Sequence, residues 1–483
     1  MAPGPRPRRN ERHDEEPYRR SPHPPRRQGG LDRAGRHGRV RNGARYDVGK
    51  AAFVLRPTST EQVSHAVSYC VREGIHLIPQ SGNTGLVSGS TPDSSGTQGV
   101  LSLDRLTGVF ELDRTNRSVR ASAGIRLSDL NARLEEFGLF FPIDLGADPR
   151  LGGMIATNTG GSRFLRYGDV RRSTLGLKVV LADEHGTVLD LSSDLRKNNM
   201  GIDLKQLFIG TSGTFGVVTE CVLNLEPIPQ QTATALLVPS SAEAVSELLV
   251  TMETALGGYL SAFEGMSGNA VRAAFDHVPS LRNPFYGTGI PDLVILVEVT
   301  RSNAPRKGEQ SLDEVLQSVL EDIWEQGHPV LADAFIGPPH EIWALRHALS
   351  EGVKHRGKLI AFDLSFRRGD VMRFLDWMNQ ELPRRFPDVD ICDFGHIGDG
   401  GVHFNLVVPG DDARLPISDF ETSLREWVFD VTVQEFGGSF SAEHAIGRKN
   451  QRFYEAYTPT EVRRIATGLK TLVSPGPVGV LCL

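Results

Sequence analysis

The chain has 483 residues, 39% of them hydrophobic and 23% charged, with a formal net charge of −6. At roughly 150 residues per domain this suggests two or three domains with real cores. The longest apolar runs are too short for a transmembrane helix, the start does not read as a signal peptide, and the acidic balance disfavours nucleic acid as a partner.

Residues 1–45 hold 13 Arg against 5 Asp plus Glu, a charge of +8, so the remainder carries −14. This Arg/Pro-rich head has almost no apolar residues and no helical period and is expected to be disordered. Order begins near Tyr46. AAFVLRP (51–57) reads as a strand, and STEQVSHAVSYCVREG (59–74) as a helix with a Ser cap and a Gly stop. IHLIPQ (75–80), VLSLDRL and SVRASAG read as strands, and SDLNARLEEFG (128–138) as a second capped helix. LGLKVVLADEHGTVLDL (175–191) reads as a hairpin, and FGVVTECVLNLEPIP (215–229) as a long strand closed by prolines. The second half alternates strands (232–240, 293–300, 358–366) with amphipathic helices. That pattern suggests an antiparallel sheet with helices on one side. The fold class is therefore α+β. Four scattered cysteines without a CxxC pair argue against a disulfide scaffold, a thiolate zinc site or an iron–sulfur cluster. They fit a reducing compartment, so the expected location is the cytoplasm, free or peripheral to a membrane.

Neither GxGxxG after a strand nor a P-loop is present. Two glycine-rich segments nevertheless invite a dinucleotide. Pro79-Gln80-Ser81-Gly82-Asn83-Thr84-Gly85 follows a strand and offers successive backbone N–H groups, a nest for a pyrophosphate. LGGMIATNTGGSRFLRYG (151–168) gathers further glycines around Thr157 and Asn158. Together with IGTSGTFGVVTE (209–220), these segments resemble the flavin domain of the vanillyl-alcohol oxidase type, the FAD-linked oxidases. The resemblance runs from about residue 46 to 475. It implies a flavin-binding domain plus a substrate (cap) domain. It divides the chain into the head (1–45), an FAD-binding domain (46–229) and a cap domain (230–483) whose C-terminal segment returns to the flavin. The ending LKTLVSPGPVGVLCL lacks the NPGK-like close of relatives. The resemblance places flavin contacts at Pro79, Ser81, Gly82, Asn83, Thr84, Gly85, Gly146, Gly152, Gly153, Thr157, Asn158, Gly160, Gly161, Tyr167, Gly168, Gly213 and Val218. Covalent members carry His in the first loop; Thr84 stands there, which implies non-covalent FAD.

GHIGDGGVHFN and SAEHAIGR resemble the D-2-hydroxyacid dehydrogenase branch. Independently, Asp399-Gly400 is a two-residue type I′ turn signal. Strands paired about it set His396 directly across from His403, with Cβ atoms roughly 5 Å apart. Two imidazoles so placed can share one divalent ion, or can simply hydrogen-bond within the hairpin. The resemblance adds Glu443 as third ligand and zinc or manganese as the ion. It also implies a substrate-carboxylate anchor at Arg346 in Trp343-Ala344-Leu345-Arg346. Ser350 lies one helical turn on and Asn405 on the His403 face of its strand. His444 is the expected general base.

Ala361 occupies the position of a substrate-binding Lys in the D-2-hydroxyglutarate branch. That departure removes a second cationic clamp and favours a monocarboxylate such as a D-lactate-like acid. The other departures are Ala445 for the family's Gly, and GDGG for GDGN. The expected activity is oxidation of a D-2-hydroxy acid to the 2-oxo acid. Hydride passes to flavin, and electrons then pass to a quinone, an electron-transfer flavoprotein or a similar acceptor rather than NAD. The same flavin fold leaves open an alcohol or glycolate oxidase, and a transferase like the alkyl-dihydroxyacetone-phosphate synthases. Homodimerisation is open too.

Overall fold

The computed structural model describes residues 48–483, apart from 326–329 and 410–416; the Arg/Pro-rich head lies outside the described residues. Local signals act as read where the chain turns apolar. Ser59 takes extended backbone and its side chain accepts the Gln62 N–H, which starts the helix Thr60–Arg72; Val63, Val67 and Cys70 fall on its buried face.

Strands β1 (Phe53–Leu55), β2 (Leu77–Gln80) and β3 (Gly99–Ser102) form a parallel sheet in the order β1-β3-β2. Strands β4 (Phe110–Asp113) and β5 (Ser118–Ser122) begin a second sheet, while β6 (Leu139–Phe140) stays outside it. β7 (Thr174–Val180), β8 (Val188–Leu191) and β9 (Val217–Asn224) complete the order β4-β5-β9-β7-β8, and β10 (Glu226–Pro227) pairs with β6. Leu77, Leu101, Val119, Leu177, Val179 and Cys221 share the core between these sheets. The expected hairpin is β7–β8, closed at Val180 opposite Val188.

The glycine-rich segment 151–168 opens as a helix, Leu151–Thr157, ended by Asn158 at φ 52°. Gly152 makes the helix fit. A Cβ at that position would lie 2.9 Å from the Ala123 Cβ, so the helix docks at glycine distance.

The second half builds one large antiparallel sheet. Its strands are β11 (Gln231–Pro239), β12 (Leu260–Ser267), β13 (Leu293–Arg301), β14 (Leu331–Gly337), β15 (Gly357–Ser365), β16 (Asp390–Ile391), β17 (Phe394–Gly395) and β18 (Gly401–Pro409). They run β14-β11-β13-β12-β17-β18-β15, with β16 also paired to β18. Helices cover both faces, not one. Ile295, Val297 and Val299 pack towards the helices Ala244–Leu256, Leu312–Glu325 and Arg368–Arg385. Val294 and Leu296 pack towards Gly268–His277 and Pro339–His355. A strand buried on both faces is an unbroken apolar run, which is why LVILVEVT carried no sign of the second layer.

Several contacts join the halves, among them a buried ion network and a strand-like pairing. Arg163 donates to Asp144 at 2.8 Å and to both oxygens of Glu298 at 2.8 and 3.0 Å, and the buried Glu298 also accepts Trp343 Nε1 and Ser261 Oγ, each at 2.8 Å. At the other end, the Leu77 N–H donates to Pro477 O at 3.0 Å and the Gly479 N–H to Leu77 O at 2.9 Å. The chain's last residues thus extend the parallel sheet alongside β2.

Asp393, just before β17, is buried in this arrangement. Burial pushes its carboxyl up to about 6, against hydrogen bonds from its own backbone and Ser267. The folded state therefore holds a proton that the unfolded chain releases near pH 4, and stability falls as pH rises from there through 6. Asp393→Asn is expected to raise stability by roughly 1–3 kcal/mol at pH 7.5, with the gain vanishing below pH 4. Denaturant melts of both proteins at the two pH values check it.

Candidate active site

The site begins with how the SAEHAIG segment is held. Asp363 on β15 accepts the backbone N–H groups of Ala442, Glu443 and His444 on one oxygen, Oδ2, at 3.1, 2.8 and 2.8 Å. This anchors the loop, and Glu443 then projects its carboxylate among three imidazoles. Glu443 Oε1 lies 3.7 Å from His396 Nε2, 3.6 Å from His403 Nε2 and 4.0 Å from His444 Nε2. Its Oε2 accepts the Gly161 N–H at 3.2 Å. A Cβ on Gly160 would sit 3.3 Å from that same oxygen. Gly160 thus gives clearance to Glu443, rather than touching the cavity as the flavin reading expected.

The two hairpin histidines do meet, but not in the register read from sequence. His403 pairs with Phe394 across β17–β18, not with His396. A type I′ turn needs φ > 0 at both central residues, and Gly400 has it (φ 99°) while Asp399 does not. The chain instead makes a wider loop in which the Asp399 and Gly401 N–H groups both donate to His396 O. The rings still come together, with centroids 5.1 Å apart and planes at 80°. His444 stacks on His403 at 5.7 Å.

Two acidic residues missed in the sequence hold the far side of these rings. Glu264 on β12, 1% exposed, accepts His396 Nδ1 at 2.6 Å through Oε1 and Arg346 Nε at 2.8 Å through Oε2. Asp363 Oδ1 lies 3.7 Å from His403 Nδ1. Each is a lone acid in an apolar strand, SAFEGMS and LIAFDLS, which is the signal that could have marked them. Burial opposes charge on Glu264, yet His396 and Arg346 hold its carboxyl down near 2. Burial likewise opposes charge on His396, but Glu264 and then Glu443 raise its proton affinity well above the ordinary value. Burial, then the charge on His396, pushes His403 down to about 4. Glu443 is held well below the carboxylate range by its contact with His396 and by the surrounding imidazoles, despite its burial.

That field suits a divalent cation. Imidazole nitrogens and a carboxylate oxygen are zinc and manganese donors, and carboxylates behind Nδ1 leave Nε2 for an ion. Asp363, His403, Glu443 and His444 also place one donor atom each within 4.8 Å of one another. Asp363 Oδ2 is already committed to three backbone N–H groups, which suits it to support rather than ligation.

A cavity of about 460 Å³ joins this cluster to the glycine loops. Its wall contains Pro79, Ser81, Gly82, Asn83, Thr84, Gly85, Gly146, Gly152, Gly153, Thr157, Gly161, Gly213 and Val218 from the first half. Arg346, Ser350, His396, His403, Asn405, Glu443 and His444 line it from the second. Gly85 and Gly146 have open space where a Cβ would project, a cradle suited to a flat or anionic group. Four expected flavin residues lie off this wall. Asn158 caps its helix and bonds Asp169 at 2.8 Å; Gly160 faces Glu443; Tyr167 is buried against Phe140; Gly168 closes a turn at φ 72°.

Glu264 occupies the Nε/Nη2 edge of Arg346, at 2.8 and 2.7 Å. A substrate carboxylate would meet the Nη1/Nη2 edge. Beside Ala361 the wall is not uncharged: Arg425 Nη1 donates to Ala361 O at 3.0 Å, and both Arg425 and Lys449 line the cavity. A cation from another helix thus stands near the place where the sequence reading removed one.

Ala445, next to His444, sits at φ 62°. Left-handed backbone costs a side chain about 1–2 kcal/mol, and glycine returns roughly half of that as extra freedom in the unfolded chain. Ala445→Gly is expected to stabilise the protein by about 0.5–1 kcal/mol, read as a shift in the urea midpoint at unchanged slope.

Comparison with known proteins shows the family. The FAD binding domain model matches residues 51–192, and the model for FAD linked oxidases, C-terminal domain, matches 228–475. A mitochondrial D-2-hydroxyglutarate dehydrogenase of Danio rerio is 33% identical over 433 residues, covering 88% of this chain and 77% of that protein. A Bos taurus protein of the same name is 34% identical over 439 residues, covering 88% and 75%. A putative mitochondrial D-lactate dehydrogenase of Schizosaccharomyces pombe is 30% identical, covering 89% and 81%. Among solved structures, p-cresol methylhydroxylase superposes with a TM-score of 0.68 at 15% identity, covering 90% of each chain. An alkyldihydroxyacetonephosphate synthase superposes with a TM-score of 0.63 at 18% identity, covering 87% and 74%. Both share the fold. The chain belongs to the FAD-linked oxidase family.

Proposed function

We propose that the protein is an FAD-dependent dehydrogenase that oxidises a D-2-hydroxy acid, D-lactate-like or D-2-hydroxyglutarate-like, to the 2-oxo acid. The observation that carries this reading is the convergence of three imidazole Nε2 atoms within 4.0 Å of Glu443 Oε1, in one cavity with Arg346 and the glycine loops. The relatives' names point to the same class of acid.

Non-covalent FAD, held along the wall from Pro79 to Gly85 and by Gly153, Thr157 and Gly213, supplies the hydride acceptor when bound. His396, His403 and Glu443 would hold a divalent ion, zinc or manganese, which supplies Lewis-acid polarisation of the 2-hydroxyl when bound. The chain's own groups do the rest. Arg346 takes the substrate carboxylate with its Nη1/Nη2 edge, and Ser350 adds a hydroxyl from the same helix. Asn405, whose amide donates to His403 O at 3.1 Å, faces the substrate from β18. His444 accepts the hydroxyl proton at Nε2, and its Nδ1 lies 3.5 Å from Asp363 Oδ2. The electrons leave to a quinone, an electron-transfer flavoprotein or a similar acceptor. Among the described residues no helix is long and apolar enough to cross a membrane.

His403→Ala is expected to cut dye reduction with D-2-hydroxy acids by roughly 100-fold or more while the flavin absorbance stays. Turnover at the unsubstituted rate would remove the imidazole cluster from the mechanism.

A further inference from the structure

We propose that Glu264 is a positioning residue that ties the substrate-carboxylate anchor to the metal-side imidazole, so that both are set by one buried carboxylate. This deepens the reading above and rests on it.

The geometry is specific. Glu264 spends one oxygen on each partner: Oε1 on His396 Nδ1 at 2.6 Å, and Oε2 on Arg346 Nε and Nη2 at 2.8 and 2.7 Å. Its reach depends on β12 and the His396 loop lying unusually close. Gly398 donates its N–H to Phe263 O at 3.1 Å, and a Cβ on Gly398 would fall 2.8 Å from Phe263 Cβ. A Cβ on Gly265 would fall 2.9 Å from the Ile397 side chain. Two glycines thus press the loop onto the strand, on either side of Glu264. Arg346 is braced on its other face by Phe394, 4.9 Å from the ring centroid, and Phe394 pairs with His403.

A carboxylate is an acceptor at both oxygens, and here both face donors. With Nδ1–H given to Glu264, His396 can present only Nε2 to the cavity. With its Nε/Nη2 edge given to Glu264, Arg346 can present only its other edge. One acid therefore fixes which imidazole nitrogen faces the cavity and how the guanidinium is turned.

Glu264→Gln tests this, because an amide of the same shape has one acceptor and one donor, so one of the two contacts becomes donor against donor. The flavin-loaded full chain is titrated with zinc ion against a competing chelator. KM and kcat for the acid are then measured with an artificial dye at saturating zinc. Expected are zinc affinity lowered about tenfold or more and KM raised about tenfold with kcat less changed. Flavin absorbance and melting temperature report folding. Glu264→Asp keeps the charge but is one methylene short of spanning both partners. It is expected to give smaller shifts in the same two quantities, and it carries the test if the amide variant does not fold. Unsubstituted zinc affinity and KM in a folded variant overturn the proposal. Failure of the underlying reading would show separately, as an unsubstituted protein that takes up no zinc and oxidises no 2-hydroxy acid.

Discussion

The site depends on one oxygen atom. Asp363 Oδ2 gathers three consecutive backbone N–H groups, and this places the Glu443 carboxylate where His396, His403 and His444 converge. A buried carboxylate among imidazoles is stable only with compensating charge, and the structure supplies it in layers. Glu264 and Arg346 stand behind His396, Asp363 behind His403, and Gly161 donates to Glu443 from the first half of the chain. The donor N–H of Gly161 and the clearance left by Gly160 are what join the glycine-rich segment to the imidazole cluster.

That junction explains the architecture. The parallel sheet and its loops offer unobstructed backbone to a flat cofactor, while the large antiparallel sheet offers rigid, buried positions for charged side chains. Neither half is complete alone. The Arg163–Glu298–Trp343 network fixes the two against one another near the cavity, and the C-terminal segment does so beside β2.

Much of this was legible in the sequence because the signals were local. Ser59 as cap, the β7–β8 hairpin and the unbroken apolar strands followed from periodicity and turn residues. The site motifs showed through small residues and histidines at short spacing. What stayed hidden was long-range. The register of β17 on β18 depended on Asp399 keeping negative φ, which the Asp-Gly pair does not announce. The helix at Leu151–Thr157 depended on Gly152 meeting Ala123, and the supporting acids depended on which strands became neighbours. Asn158 and Gly168 take positive φ within the glycine-rich motif, and Tyr167 packs edge-on to Phe140, placements set by the fold rather than by the motif's spacing.

The central claim is that two imidazoles and one carboxylate form a single divalent-metal centre facing the flavin cradle. X-ray absorption at the zinc edge of the purified, flavin-loaded protein after titration with zinc ion tests it most directly. The account predicts a first shell of nitrogen and oxygen near ~2.1 Å with the multiple-scattering pattern of coordinated imidazole. A shell containing sulfur near ~2.3 Å, or an oxygen-only shell without imidazole, would contradict it.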